Sequence, residues 1–234
     1  MTERNGRGIG FEGRRRGFTL LELLVVIGIM GMLIAIMIPS LTRAREQTRE
    51  TQCMNRLRTL YVAHMQYLQD YRVFPPLNKE EDDGAWQYNY LIYDKDGGGL
   101  FRNFGPLLEE RMIDSIETFY CPVQKDPFHS LSTPQNPWPP KPYSDTRAGY
   151  GRRYHLSGRS LSQIAHTRGF AADVFHVPAV VKSAHKRGVN AVYTDGHARF
   201  VTDRAFTDNN LATPFDRVAN KEMKKLWRII DDAK

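Results

Sequence analysis

The chain has 234 residues, enough for one globular domain plus an N-terminal appendage. Hydrophobic residues make up 41% and charged residues 25%, which excludes a wholly disordered protein. The formal charge is +7, yet Arg4, Arg7, Arg14, Arg15 and Arg16 against Glu3 and Glu12 put +3 of it into residues 1–17. The remainder carries a mild +4, too little and too dispersed to call for a nucleic-acid partner, and none is expected. Cys53 and Cys121 form neither a CxxC pair nor a Cys/His zinc spacing. In an exported domain they are compatible with one disulfide, and equally with two buried thiols.

From Phe18 to Ile38 the chain reads FTLLELLVVIGIMGMLIAIMI, with Glu22 as its one charge. As a helix this run spans about 30 Å, the thickness of a bilayer's hydrocarbon core. The arginines before it should stay cytoplasmic and send the rest of the chain outward. A secretory signal peptide has a shorter apolar run that ends at small residues. Here the run passes directly into a polar helical pattern. Glu22 costs a few kcal/mol as a lone carboxylate in lipid, so it is either functional or held near the hydrated interface.

Gly17-Phe18-Thr19-Leu20-Leu21-Glu22, with basic residues before it and an apolar run after it, resembles the type IV prepilin signature shared by type II secretion pseudopilins. The resemblance implies that a prepilin peptidase cuts Gly17–Phe18 and N-methylates Phe18, and that Pro39 is the family's helix-kinking proline. It also implies other pilin-like subunits and the inner membrane as partners, and no cofactor. The new Phe18 ammonium of one subunit would pair with Glu22 of its neighbour, each charge relieving the other in lipid. Gly28 and Gly31 would let neighbouring helices approach closely.

After Pro39 the helical pattern resumes, with a stripe of Met54, Leu57, Tyr61, His64 or Met65, and Leu68, and ends before Pro75-Pro76. Cys53-Met-Asn-Arg-Leu and the later Tyr71-Arg-Val-Phe-Pro-Pro are similar to a subgroup of pilin-like proteins. In residues 77–150, Glu80–Gly84 and Asp94–Gly99 read as turns, Gly105–Ile113 as a short helix and Ser130–Pro142 as an irregular crossing. Thr118-Phe-Tyr-Cys-Pro-Val resembles that subgroup's Cys-Pro segment, which brings Cys121 within reach of Cys53.

Strands are expected at 169–175 and on both sides of Asp195-Gly196, where the alternation and the turn residues mark a hairpin over 185–202. His185, nine residues and then Asp195-Gly196 resemble a C-terminal signature of these proteins. His185, Asp195 and His197 invite a metal-site or hydrolase reading, but no third ligand has diagnostic spacing. Calcium, known in some major pseudopilins, has Asp195, Asp203 and Asp208 as candidates. A stripe of Met223, Leu226, Trp227 and Ile230 predicts a terminal amphipathic helix.

The expected fold is α+β, a pilin-like lollipop with a long kinked helix packed on an antiparallel sheet domain. Its expected divisions are a leader (1–17), a transmembrane half-helix (18–38), an amphipathic half-helix (39–74) and an exported domain (75–234). The reading that follows is a non-catalytic subunit of a pilus or secretion pseudopilus. The alternative is a membrane-anchored binding or hydrolytic domain that never polymerises.

Overall fold

The computed structural model describes residues 18–77, 89–96, 98–153, 156, 158–164, 168–209 and 220–233. The expected leader (including Gly17) and the turn at Glu80–Gly84 lie outside them. The chain forms two compact units, residues 1–46 and 47–234.

Helix α1, Leu20–Tyr71, is 52 residues long and continues through Pro39. Proline removes one backbone donor without forcing the helix to stop. In the first unit every described residue from 18 to 46 is exposed, including the large apolar side chains on all faces of the helix. The helix is long and apolar enough here to cross a membrane. It ends at Arg72, which adopts φ 64° while its N–H bonds the Leu68 carbonyl at 3.0 Å. That left-handed residue closes the last turn before Pro75-Pro76.

In the second unit α1 buries Cys53, Leu57, Leu60, Ala63, His64, Tyr67 and Leu68, in the three-and-four spacing of one helical face. The expected stripe is met at Leu57, His64 and Leu68. Met54, Tyr61 and Met65 flank the contact, while Cys53, Leu60 and His64 occupy its centre. The face lies on a four-stranded antiparallel sheet of order β4-β5-β6-β7: Tyr150–Arg152, Gly169–Asp173, Gly188–Tyr193 and Ala198–Thr202. The ring of Phe170 meets those of Tyr61 at 5.4 Å and His64 at 5.0 Å.

The opposite face of the sheet carries Ala172, Val189, Ala191, Tyr193 and Val201. They cluster with Met223, Leu226, Trp227 and Ile230 of the terminal helix Asn220–Asp232. Covered on both sides, β5 and β6 are buried along their whole length and do not alternate with solvent. Gly169 shows how close the terminal helix comes, since a Cβ there would stand 2.6 Å from Ile230 Cγ2. The terminal helix is also tied down by Tyr193, whose hydroxyl donates to the Ile230 carbonyl at 2.7 Å.

A second sheet, of order β2-β1-β3, combines Leu100–Phe101, Leu91–Asp94 and Thr146–Arg147, so the described residues of the domain hold two sheets where one was expected. A short helix, α2, covers Gly105–Glu109, ending before the expected Ile113. The proline-rich crossing is irregular, as expected, and buried Asn136 holds it. Its amide donates to the carbonyls of Arg147 and Ser130, and its oxygen accepts from Arg147 N–H at 2.7 Å. Arg152 is fully buried and donates to the Pro75 carbonyl at 2.6 Å, fixing the helix exit. Burial pushes its pKa down to about 9, with Tyr67 opposing.

His64 offers a direct test of this packing. Its Nδ1 lies 2.7 Å from the Leu60 carbonyl, which can only accept, so Nδ1 carries the proton. Burial and the charge of Arg152 hold the imidazole well below its ordinary pKa, with the Leu60 carbonyl opposing. The unfolded chain therefore takes up a proton first, and stability falls as pH drops below about 6.5, by at most about 1.4 kcal/mol per pH unit. Urea unfolding of wild type and His64→Leu at pH 7.5, 6.5 and 5.5 should show the wild type losing stability relative to the variant on acidification. Parallel pH curves would contradict the buried neutral histidine.

Candidate assembly site and the His185 to Gly196 clasp

Thr19 and Glu22 set the start of α1. Thr19 N–H and Oγ1 both donate to Glu22 Oε2 at 2.9 Å, and Glu22 N–H donates to Thr19 Oγ1 at 3.2 Å. This reciprocal arrangement is a capping box. It satisfies N–H groups that have no partner within the helix and places the carboxylate at the positive end of the helix dipole. Phe18 stands just outside the cap and is exposed. The Thr-Leu-Leu-Glu spacing is a legible capping signature that the reading of Glu22 as a lone charge overlooked. The carboxylate has a partner within its own chain.

The two ends of the His185 to Gly196 segment both meet α1, at different levels. His185 closes helix α3, Pro178–Ala184, with its N–H bonded to the Val181 carbonyl at 3.0 Å. Its Nε2 faces Cys121 Sγ at 3.2 Å, Asp173 Oδ2 at 3.2 Å and Asn190 Nδ2 at 3.0 Å. Asp173 Oδ2 also accepts from Asn190, through its backbone N–H at 2.6 Å and its side-chain amide at 2.9 Å. Burial opposes the charged imidazole, but the Asp173 carboxylate and the charge of Glu50 prevail and raise the pKa of His185. Cys121 is joined to Cys53 of α1 by a disulfide with a Cα–Cα distance of 5.2 Å. Among the described residues, the group with metal-ligand proximity is Cys53, Cys121 and His185.

At the other end, Gly196 has φ 85°, and a Cβ there would lie 3.0 Å from the Tyr61 ring. The Tyr61 hydroxyl donates to the Thr194 carbonyl at 2.7 Å. Gly196 alone in this turn takes positive φ, and its N–H closes the turn on the Tyr193 carbonyl at 2.9 Å. Cys53 and Tyr61 stand eight residues apart on α1, or about 12 Å. The segment thus clasps two turns of the helix.

The hydrolase reading of His185, Asp195 and His197 does not survive this geometry. His185 is buried beside Asp173, while Asp195 and His197 pair with each other in the exposed turn at the far end of β6. The calcium candidates are not brought together either. Asp195 accepts from His197 N–H at 3.1 Å, and Asp203 caps the short 3-10 turn Arg204–Thr207 through Ala205 N–H at 2.8 Å. Asp208 belongs to no metal-ligand group among the described residues.

A capped apolar half-helix leading into an amphipathic half-helix on an antiparallel sheet is the α+β architecture that the prepilin resemblance implies. The chain matches the prokaryotic N-terminal methylation motif over residues 13–38. It belongs to the family described as "Protein of unknown function (DUF1559)", whose model matches residues 42–158, half of the chain. The chain is 35% identical over 60 residues to the type IV major pilin protein PilA of Myxococcus xanthus (strain DK1622), a match covering 26% of this chain and 27% of that protein. It therefore spans about a quarter of the length of the curated relative it matches. No solved structure matches. The family match crosses residues 77–150, where the resemblance in the sequence rested on the Thr118–Val123 segment alone.

The clasp is tested by Gly196→Ala, which forces a Cβ into the left-handed region against Tyr61, and by Tyr61→Phe, which removes the bond to Thr194. Losses of about 1–2 kcal/mol for the first and about 1 kcal/mol for the second are expected in thermal unfolding. Unchanged melting of both variants would contradict the contact.

Proposed function

We propose that the chain is a non-catalytic, type IV pilin-like structural subunit, cut after Gly17, methylated at Phe18, and assembled with like subunits through its N-terminal helices. The observation that carries this reading is the apolar surface of residues 18–41, exposed on every face of α1 and headed by a capped carboxylate. A helix apolar all round needs an apolar environment, either lipid or neighbouring helices. The methylation motif, over residues 13–38, and the pilin match support the same reading.

In this account residues 1–17 are a cytoplasmic leader removed by prepilin peptidase, residues 18–38 lie in the inner membrane, and the remainder is exported. The disulfide suits an oxidising compartment. Removing the leader turns Phe18 into a cationic terminus one helical turn from Glu22. Glu22 Oε2, already oriented by Thr19, is then poised to take a neighbouring subunit's ammonium, which neutralises both charges and sets the axial register.

Three variants test this. Gly17→Ala should leave a full-length, unassembled precursor in the inner membrane. Glu22→Ala should be processed but should lower the sedimentable fraction at least about tenfold, the effect of losing about 1.4 kcal/mol per subunit contact. Thr19→Ala, which breaks only the cap, should assemble better than Glu22→Ala. If Glu22→Ala sediments like wild type, the subunit reading fails, and a membrane-anchored domain that does not polymerise takes its place.

A further inference from the structure

The clasp buries three metal-ligating side chains at one point, with a fourth, Asp173, against His185. Cys53 comes from α1, Cys121 from the loop after the short 3-10 turn Ile116–Phe119, Asp173 from the end of β5, and His185 from the end of α3. Cys53 Sγ, Cys121 Sγ and a ring nitrogen of His185 lie within 4.8 Å of one another, all buried. We propose that in the dithiol state, in which the chain is synthesised, Cys53, Cys121 and His185 bind a single zinc ion, with Asp173 as the fourth ligand.

Tetrahedral zinc, with bonds of about 2.3 Å to sulfur and about 2.0–2.1 Å to nitrogen, holds its donors about 3.5–3.8 Å apart. Donors already within 4.8 Å reach that spacing through side-chain rotation and small shifts of the Cys121 loop. His185 Nε2 is the correct nitrogen, since it faces both Cys121 Sγ and Asp173 Oδ2 at 3.2 Å.

A second, independent observation also points to a cation. Asp173 Oδ1 and Asn190 Oδ1 are buried and have no hydrogen-bond partner among the described residues, so this spot holds more oxygen acceptors than donors. A surface cavity lined by Arg56, Tyr120, Cys121, Gln124 and Ser130 gives an entry path beside Cys121.

Zinc and the disulfide exclude one another. Binding the ion displaces two thiol protons to solvent. Closing the bridge passes two electrons from the thiolates to an external disulfide, which takes up two protons from solvent and leaves as two thiols, and releases the ion. The site would hold the two cysteines in register, across four elements, until the bridge forms.

The test uses the full chain in detergent micelles, reduced with a phosphine, with zinc chloride alone titrated against a chromophoric chelator and cobalt chloride as the spectroscopic probe. One zinc per reduced chain is expected, with a tetrahedral cobalt spectrum carrying a thiolate-to-cobalt charge-transfer band. Asp173→Asn should weaken binding about 10–100-fold. The oxidised chain and Cys53→Ser/Cys121→Ser should bind none. A reduced chain that gains its circular dichroism signal only on adding zinc supports the site, which needs no variant to be read. No stoichiometric zinc in the reduced chain, no thiolate band with cobalt, or equal binding by the oxidised chain would overturn it.

Discussion

Helix α1 must satisfy two incompatible surroundings along one continuous backbone, and the rest of the structure follows from how it does so. Its first half is apolar on every face, which no water-filled setting stabilises. Its second half is apolar on one face only, and that face is filled by Phe170, Tyr150 and the strands that carry them. Two local devices bound the helix. The Thr19–Glu22 box defines where it starts, and the left-handed Arg72 with Pro75-Pro76 defines where it ends. Neither end is left to fray.

The domain grips the second half through few points of high specificity. The disulfide fixes one level, Tyr61 against Gly196 fixes another, and the ring cluster of His64, Phe74, Phe104 and Phe170 fills the space beyond. His185 and Gly196 are separated by β6, so the strand acts as a spacer that matches a helical rise of two turns to an extended run. This gives the spacing of that segment a mechanical meaning. The histidine end is buried and bonded to Asp173, while the glycine end has no side chain and packs against a tyrosine ring.

Much of this was legible in the residues. The apolar run after the arginines, the Pro-Pro exit, the Asp195-Gly196 hairpin and the Met223 to Ile230 stripe each carry a short-range signal with a physical cause. Other features could not be read that way. Strands β1 to β3 have two to four residues each, too few for a periodic signal, and β3 finds its partner β1 more than fifty residues away. Asp173 belongs to His185 through the fold, twelve residues away, whereas Asp195 and His197 looked like better partners only because they are near one another. The stripe on α1 was legible at Leu57, His64 and Leu68, while Cys53 and Ala63, small and only weakly hydrophobic, were not read as part of its buried face. The capping box was legible and was hidden by the surprise of an acid in an apolar run.

The central claim is that the mature chain begins at Phe18, with Glu22 in the first turn of a helix that assembles with its own kind. The most direct measurement is mass spectrometry of the N-terminal peptide of the protein recovered from its native envelope. The account predicts a chain starting at a methylated Phe18. Recovery of a chain still beginning at Met1, with the Gly17–Phe18 bond intact, would contradict it.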